Sequence, residues 1–436
     1  MFDKSTRRDF LKRSASVATG ALILPQIIPS SALGMGGKLP PSDRIVMGAI
    51  GVGSQGKSNM RDFLKLNNQV QFIAVCDVDS SHSAKAKSIA DEANKNKDCR
   101  IHTDYREFLE KEKLDAVSIA LPDHWHGLIY SAAANKKLDV YGEKPICRTI
   151  KDGQTIVKSV ERNNIIWQTG SWQRSRPNFH RAVELVRNGR IGKIIHIEVG
   201  LPDGNHGIGT PPVKEVPAEL NWEMWLGPAL KVPYRGISHW DWRWILDYSG
   251  GQLTDWAGHH IDIANWGAEL EHTGPVEISG EGVYPRDGIF NVPVEYDFLC
   301  KYANGIEMRV ANSSRLIHGG GATWYGEKGW LNVDRGRLSA SDPKILEEVI
   351  GENEIQIYKS DNHWQNFVDC VRSRKETIAP IQVAYRAISV ALLGEIAMTT
   401  GKKIQWDPKK EEIIGNPIAS RLLSRPYRQP WSLPTI

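Results

Sequence analysis

Cysteine is scarce: 436 residues hold five, at positions 76, 99, 147, 300 and 370. They are odd in number and none sits at metal-ligand spacing, which argues against both a disulfide framework and a zinc ribbon. An excess of one charge is missing too. The formal net charge is +4, and no basic run interleaved with aromatics occurs, so nothing points to nucleic acid. Long apolar runs are also wanting. Residues 17–28 form an apolar stretch too short to span a bilayer, and no later segment approaches the ~20 apolar residues that a span requires. No membrane span is therefore expected once a leader is removed.

What the chain has in quantity is tryptophan: 15 residues, seven of them between positions 222 and 266. An indole suits core packing and equally suits stacking on a sugar ring, and core packing is expected for most. Cys76 and Cys300 lie in apolar strand-like runs and read as small buried hydrophobes. The beginning of the chain reads differently. Paired Arg7 and Arg8, then Phe10, Leu11 and Lys12, precede the short apolar stretch and the small residues Ser30, Ser31 and Ala32. This order resembles a twin-arginine export signal over residues 1–34, an address read by a receptor, which implies periplasmic delivery of a folded protein. An uncleaved lipid-facing anchor is the alternative.

A length of 436 residues favours two domains. The first reads as dinucleotide-binding, over 43–168. Ile45–Ile50 is a buried strand, and Gly51, Gly53 and Gly56 make G-x-G-x-x-G between it and a helix. The first glycine permits the tight turn, the second lets backbone approach pyrophosphate, and the third allows strand–helix packing. Asp77 ends a second apolar run, where a carboxylate accepts from ribose hydroxyls and repels a 2′-phosphate; NAD is thus expected rather than NADP. A strand at 116–121, a helix over His126–Asn135 and a further short strand continue the alternation, which predicts a doubly wound parallel sheet. Pro122, Asp123, His126, Glu143 and Lys144 fall at carboxyl ends of strands, where ligands bind. His124 and His126 lack further ligands nearby, so no metal is expected.

The second half, 169–400, reads as an α+β domain with a large, mostly antiparallel sheet. "IIHIEVGL", "VEISGEGVY", "VEYDFLCKY" and "GIEMRVANSS" are strand-like, with Asn304-Gly305 as a hairpin turn. Residues 401–436 are expected as an extended tail. The stretch 255–266 follows helical spacing instead, which puts Asp255 and His259 on one face and Asp262 within reach of His259. Three uses compete there: a helix cap by Thr254 or Asp255, a zinc site short of ligands, and an acid/base pair in which Asp255 orients His259. Trp172, Gln173, Arg174, Arg243 and Trp244 are candidate sugar contacts, with structural roles as the alternative.

G-x-G-x-x-G, Asp77, the loop Pro122–His126, Glu143-Lys144-Pro145 and Gly250-Gly251-x-Leu253-x-Asp255-x3-His259-x2-Asp262 occur in one order. That set resembles the glucose–fructose oxidoreductase / inositol dehydrogenase / rhizopine-catabolism (Gfo/Idh/MocA) family from about Ser42 onward, most of all its secreted, tryptophan-rich bacterial members. The resemblance implies an NAD-binding enzyme acting on a sugar or cyclitol hydroxyl. Gly51, Gly53, Gln55, Gly56, Asp77, Pro122, Asp123, His126, Glu143 and Lys144 would border the cofactor, and Lys144, Asp255 and His259 would be catalytic. It allows a net glycoside hydrolase working by oxidation and elimination, a sugar-binding protein without chemistry, and a homo-oligomer. One departure stands out: the family's glycine two residues after the aspartate is Ala257 here, with Gly258 next.

Overall fold

The structure is a computed structural model and describes residues 43–435; the export signal expected over residues 1–34 lies outside the described residues. From Ile45 on the chain forms one compact unit. Among the described residues the larger sheets are two.

The first holds β1 (Ile45–Ile50), β2 (Val70–Cys76), β3 (Arg100–His102), β4 (Ala116–Ile119), β5 (Asp139–Gly142) and β6 (Trp167–Thr169) in the order 3-2-1-4-5-6. Every pair in it is parallel. Its central strands are buried along nearly their whole length, as covering by helices on both faces requires. This is the doubly wound sheet expected. Helix α1 (Ser54–Leu64) follows β1, and α2 (Ser80–Asn94) follows β2, its first turn capped by the Asp79 carboxylate. Helix α3 (His126–Asn135) has the bounds the sequence indicates.

The second sheet has nine strands, ordered 13-12-11-7-10-9-8-14-15: β7 (Ile194–Leu201), β8 (Glu277–Val283), β9 (Glu295–Lys301), β10 (Glu307–Asn312), β11 (Gly321–Gly326), β12 (Gly329–Asp334), β13 (Arg337–Ala340), β14 (Ile404–Asp407) and β15 (Glu412–Ile414). All neighbours are antiparallel except β7 and β10. In β9 the alternation is plain: Tyr296, Phe298 and Cys300 are buried, while the residues between face outward. Gly305 turns β9 into β10 at φ +89°, as Asn304-Gly305 suggests.

Helices α4 (Gly251–Gly267) and α5 (Ile381–Thr400) pack against one inner region of this sheet and against each other. By length and composition α5 could cross a membrane; its residues are packed in the interior, mostly Ala, Ile, Leu and Val. Residues 401–436 are not the extended tail expected. Residues 404–414 form a hairpin at the sheet edge, because Ile404 and Trp406 are buried alternately in it. The remainder folds back on its own chain: Trp431 packs edge-on to Trp125 at 4.9 Å, and Tyr427 donates to Asp152 at 2.7 Å. All five cysteines are free and buried, as small hydrophobes would be.

Arg174 ties the end of the first sheet to α4. The residue is 2% exposed, and its guanidinium donates to both oxygens of Asp262, at 2.6 and 2.9 Å, with Glu271 at 2.8 Å. This overturns two expectations: Arg174 has no surface to offer a sugar, and Asp262 serves Arg174 rather than His259. Arg174→Ala strands two carboxylates without the counter-charge that offsets part of the rise burial gives the Asp262 pKa. It should lower unfolding free energy by about 3–5 kcal/mol, read by urea titration. An unchanged urea midpoint would contradict this anchoring role.

Candidate active site

The turn after β1 is built for a phosphate. Gly51 has φ +75°, and a Cβ on it would sit 2.2 Å from the Ala120 carbonyl oxygen; one on Gly56 would sit 2.0 Å from the Gly51 oxygen. Gly53 is different, with only the His82 ring near, at 3.8 Å. Backbone there is open to a ligand, and no side chain caps the amides at the start of α1. Asp77 closes the turn from the neighbouring strand, accepting from Val52 N at 2.7 Å and Asp79 N at 2.9 Å. A cleft of about 300 Å³ runs from these groups past Leu121, Pro122 and Asp123 to Glu143, Lys144 and Asp255. Such a cleft, with a donor-rich turn at one end and an ion pair at the other, fits a dinucleotide.

At the far end the side chains come from two elements. Lys144 follows β5, and its Nζ donates to Asp255 Oδ1 at 2.8 Å and to the Asp255 carbonyl at 3.3 Å. Burial alone would raise the Asp255 pKa, but Lys144 and Arg243 outweigh it and hold the carboxyl below its ordinary range. His259 sits one turn further along α4, 4% exposed, and neither ring nitrogen makes a hydrogen bond among the described residues. Burial, then the charges of Lys144 and Arg335, push its pKa well below the usual histidine value, so the imidazole is neutral at pH 7. Asp255 therefore partners Lys144 and does not orient His259. Nor does Thr254 or Asp255 cap the helix: α4 starts at Gly251, and Thr254 Oγ1 accepts from Gly250 N inside the first turn. Ala257 leaves the helix regular. Gly258 is the residue that matters for approach, since a Cβ there would lie 2.9 Å from Lys144 Cβ.

Glu143 is buried behind Lys144, accepting from Asn59 Nδ2 at 2.9 Å and Gln55 Nε2 at 3.3 Å. Asn59 is not among the residues the sequence singles out, although it lies one turn after Gln55 on the same face of α1. Asp123 is buried too and accepts from Ser249 Oγ at 2.6 Å, joining the loop after β4 to the residues that precede α4. His126, expected at the cofactor, is set behind the cleft: it stacks on Tyr130 and hydrogen-bonds the Pro145 carbonyl at 2.6 Å. Full burial in the helix start explains the difference.

The expected sugar contacts divide. Trp172 is half-buried beside His259, with ring centroids 6.0 Å apart. Arg243 lines the cofactor cleft, held between Trp240 and Trp242 at 4.1 and 4.3 Å. Gln173 is fully buried, and Trp244 is packed on Phe290; neither offers a surface to a sugar. Trp222, Trp225 and Trp242 form a core with Tyr234 and Tyr248, which accounts for three of the seven clustered tryptophans. At the mouth of the cleft Asp79, His82 and His239 bring one ligand atom each within 4.8 Å of one another, a grouping that sequence distance conceals.

These features define an NAD-binding oxidoreductase fold, and comparison with known proteins agrees. Residues 45–171 match the NAD-binding Rossmann domain of the Gfo/Idh/MocA oxidoreductase family, and residues 203–433 match its C-terminal alpha/beta domain. The chain belongs to that family. Among curated relatives, the uncharacterized oxidoreductase YrbE of Bacillus subtilis is 28% identical over 149 residues, 34% of this chain and 42% of that protein. An alpha-N-acetylgalactosaminidase of Shewanella oneidensis is 26% identical over 215 residues, 44% of this chain and 45% of the relative. The chain thus matches less than half the length of these relatives. Solved structures share the fold: the WlbA dehydrogenase of Bordetella pertussis, in complex with NADH and UDP-GlcNAcA, has TM-score 0.61 at 16% identity, over 84% of this chain and 99% of that one. The aldose-aldose oxidoreductase of Caulobacter crescentus has TM-score 0.58 at 16% identity, over 83% and 99%.

Burial pushes the Asp123 pKa up to about 7, against a partial lowering by the Ser249 hydrogen bond. Its folded value thus exceeds the unfolded one, near 4, so this carboxyl favours the folded state at low pH and loses that contribution as pH rises to about 7. The stability of the wild type relative to Asp123→Asn should therefore fall across that window, read from urea midpoints of both proteins. Parallel pH curves would contradict it.

Proposed function

We propose that the protein oxidises or reduces a secondary hydroxyl of a sugar or glycoside, with NAD held tightly in the cleft. One observation carries this reading: the Lys144–Asp255 pair, 2.8 Å apart, ends the cofactor cleft beside an unpartnered neutral His259. The glycine turn, Asp77 and the uncapped start of α1 hold the dinucleotide. When bound, NAD would supply the hydride acceptor for the carbinol carbon. His259 takes the hydroxyl proton, being neutral and without a competing hydrogen bond. Lys144 donates to the reacting oxygen, and Asp255 fixes the ammonium group in place.

Candidate positions include C3 of a pyranoside. A carbohydrate as substrate class is supported by similar structures, one of which holds UDP-GlcNAcA. The partial match to an alpha-N-acetylgalactosaminidase supports a second reading, net glycoside hydrolysis by oxidation, elimination and return of the hydride. A sugar-binding protein without chemistry is the third, and the joint presence of Lys144, Asp255 and His259 weighs against it. We also propose periplasmic work after folded export, on the strength of Arg7 and Arg8.

A panel of free sugars and aryl glycosides separates the readings by product: a ketosugar, a released phenol, or neither. His259→Ala and Lys144→Ala should each lower turnover roughly 10²-fold or more, the scale of a positioned acid/base group. NAD should still bind to His259→Ala. Near-normal turnover in both variants removes them from the mechanism.

A further inference from the structure

Arg335 has no place in the chemistry above, yet it is set among the groups that perform it. It sits in the two-residue turn between β12 and β13, where Asp334 pairs with Arg337 and Gly336 has φ +73°. Asp334 holds the turn: its Oδ1 accepts from Arg335 N at 2.6 Å and lies 3.5 Å from His260 Nε2. From there the guanidinium reaches over two indoles, 4.6 Å from the Trp172 centroid and 4.4 Å from that of Trp256. The same two indoles flank His259, with centroids 6.0 and 5.7 Å away. Base and guanidinium thus share one aromatic platform.

Two guanidiniums share the platform. Among the described residues the Arg335 side chain makes no hydrogen bond and no ion pair, and the same holds for Arg176, whose guanidinium lies 4.8 Å over Trp172. Asp255 pairs with Lys144, and Asp334 accepts from the Arg335 backbone and lies 3.9 Å from Arg337, so both carboxylates act on the guanidinium only at a distance. Two cations beside one indole repel each other, and the protein around Arg335 displaces part of the water that would screen them. Loss of water first, with the Arg176 charge adding a smaller share, holds the Arg335 pKa below its ordinary value, against the opposing pull of the Asp334 and Asp255 carboxylates. The indoles offset part of this cost through cation–π attraction and keep the fork flat, with its N–H edge free. A planar fork with free edges, fixed by stacking, binds a carboxylate in bidentate fashion.

The geometry points to a substrate that is an acidic sugar: a hexuronide whose ring carboxylate docks on Arg335, assisted by Arg176, while a ring hydroxyl faces His259. This rests on the reading of the cleft as a sugar oxidoreductase site and narrows its substrate class. Trp172, on this account, serves a sugar through the arginines it holds.

The test is calorimetric titration of purified protein, with its cofactor, using methyl glucuronoside, methyl glucoside and glucose 6-sulfate. The uronide should bind roughly tenfold or more tightly than the neutral glucoside, the scale of a charge-assisted hydrogen bond. Arg335→Met should remove that preference, and Arg335→Lys, which keeps charge without the fork, should restore it only in part. Arg335 lies in an open turn, so both variants should fold; circular dichroism checks this. A stronger preference for the sulfate ester, lost in Arg335→Met, upholds the oxyanion site with sulfate as its source. Equal affinity for uronide and glucoside, a preference that survives in Arg335→Met, or no binding by any of the three overturns it. Cofactor absorbance in the same samples keeps the two readings apart. Arg335-dependent uronide binding with no cofactor redox change, neither reduction by the uronide nor oxidation by its keto form, sinks the oxidoreductase reading alone, while cofactor turnover with neutral sugars and no uronide preference sinks this one alone.

Discussion

The ion pair of Lys144 and Asp255 is the contact on which the site depends. Lys144 stands at the end of a strand in the parallel sheet, and Asp255 in the first turns of a helix that packs on the antiparallel sheet. Their union at 2.8 Å joins the cofactor cleft to the helix carrying His259. Each charge would be costly where it lies without the other. The pair also sets electrostatics around it: the ammonium keeps Asp255 ionised and helps keep His259 neutral. A second pair behind it, Arg174 with Asp262, anchors the same helix from the other side. One pair faces the cleft and the other is sealed from it, and this difference in exposure separates chemistry from support.

Much of the fold was legible because it rests on local rules. A buried strand, three glycines and a helix start are adjacent in the chain, so the dinucleotide turn is plain in the sequence. Asp255 and His259 share a helix face by spacing alone. The sheet order is less local. The parallel pairing of β7 with β10, and the hairpin 404–414 at the edge beside β8, depend on contacts between residues far apart in the chain. The tail reads as extended because it is rich in proline near its end, while Trp406 and Trp431 bury themselves against partners that sequence does not announce.

Side-chain partners were the least legible. Arg174 and Arg243 are both arginines beside tryptophans, and only burial tells that the first is a structural cation and the second a lining residue of the cleft. Asp262 lies three residues from His259, but Arg174 meets it first and satisfies both oxygens. Arg335 gave no signal at all, since it arrives from a turn far downstream of the helix it faces. Its neighbours Trp172 and Trp256 were visible as tryptophans and became a platform only in three dimensions.

The cleft, the pair and the neutral histidine make sense together only if a dinucleotide occupies the glycine turn. The proposed function has that cofactor held firmly in the cleft. The decisive measurement is the cofactor content of freshly purified protein: denature it and assay the supernatant for NAD and NADH. Close to one equivalent per chain is the result this account predicts, with turnover scarcely raised by added NAD. A protein that releases none, and that takes up none when NAD is titrated into it, would contradict the account at its base.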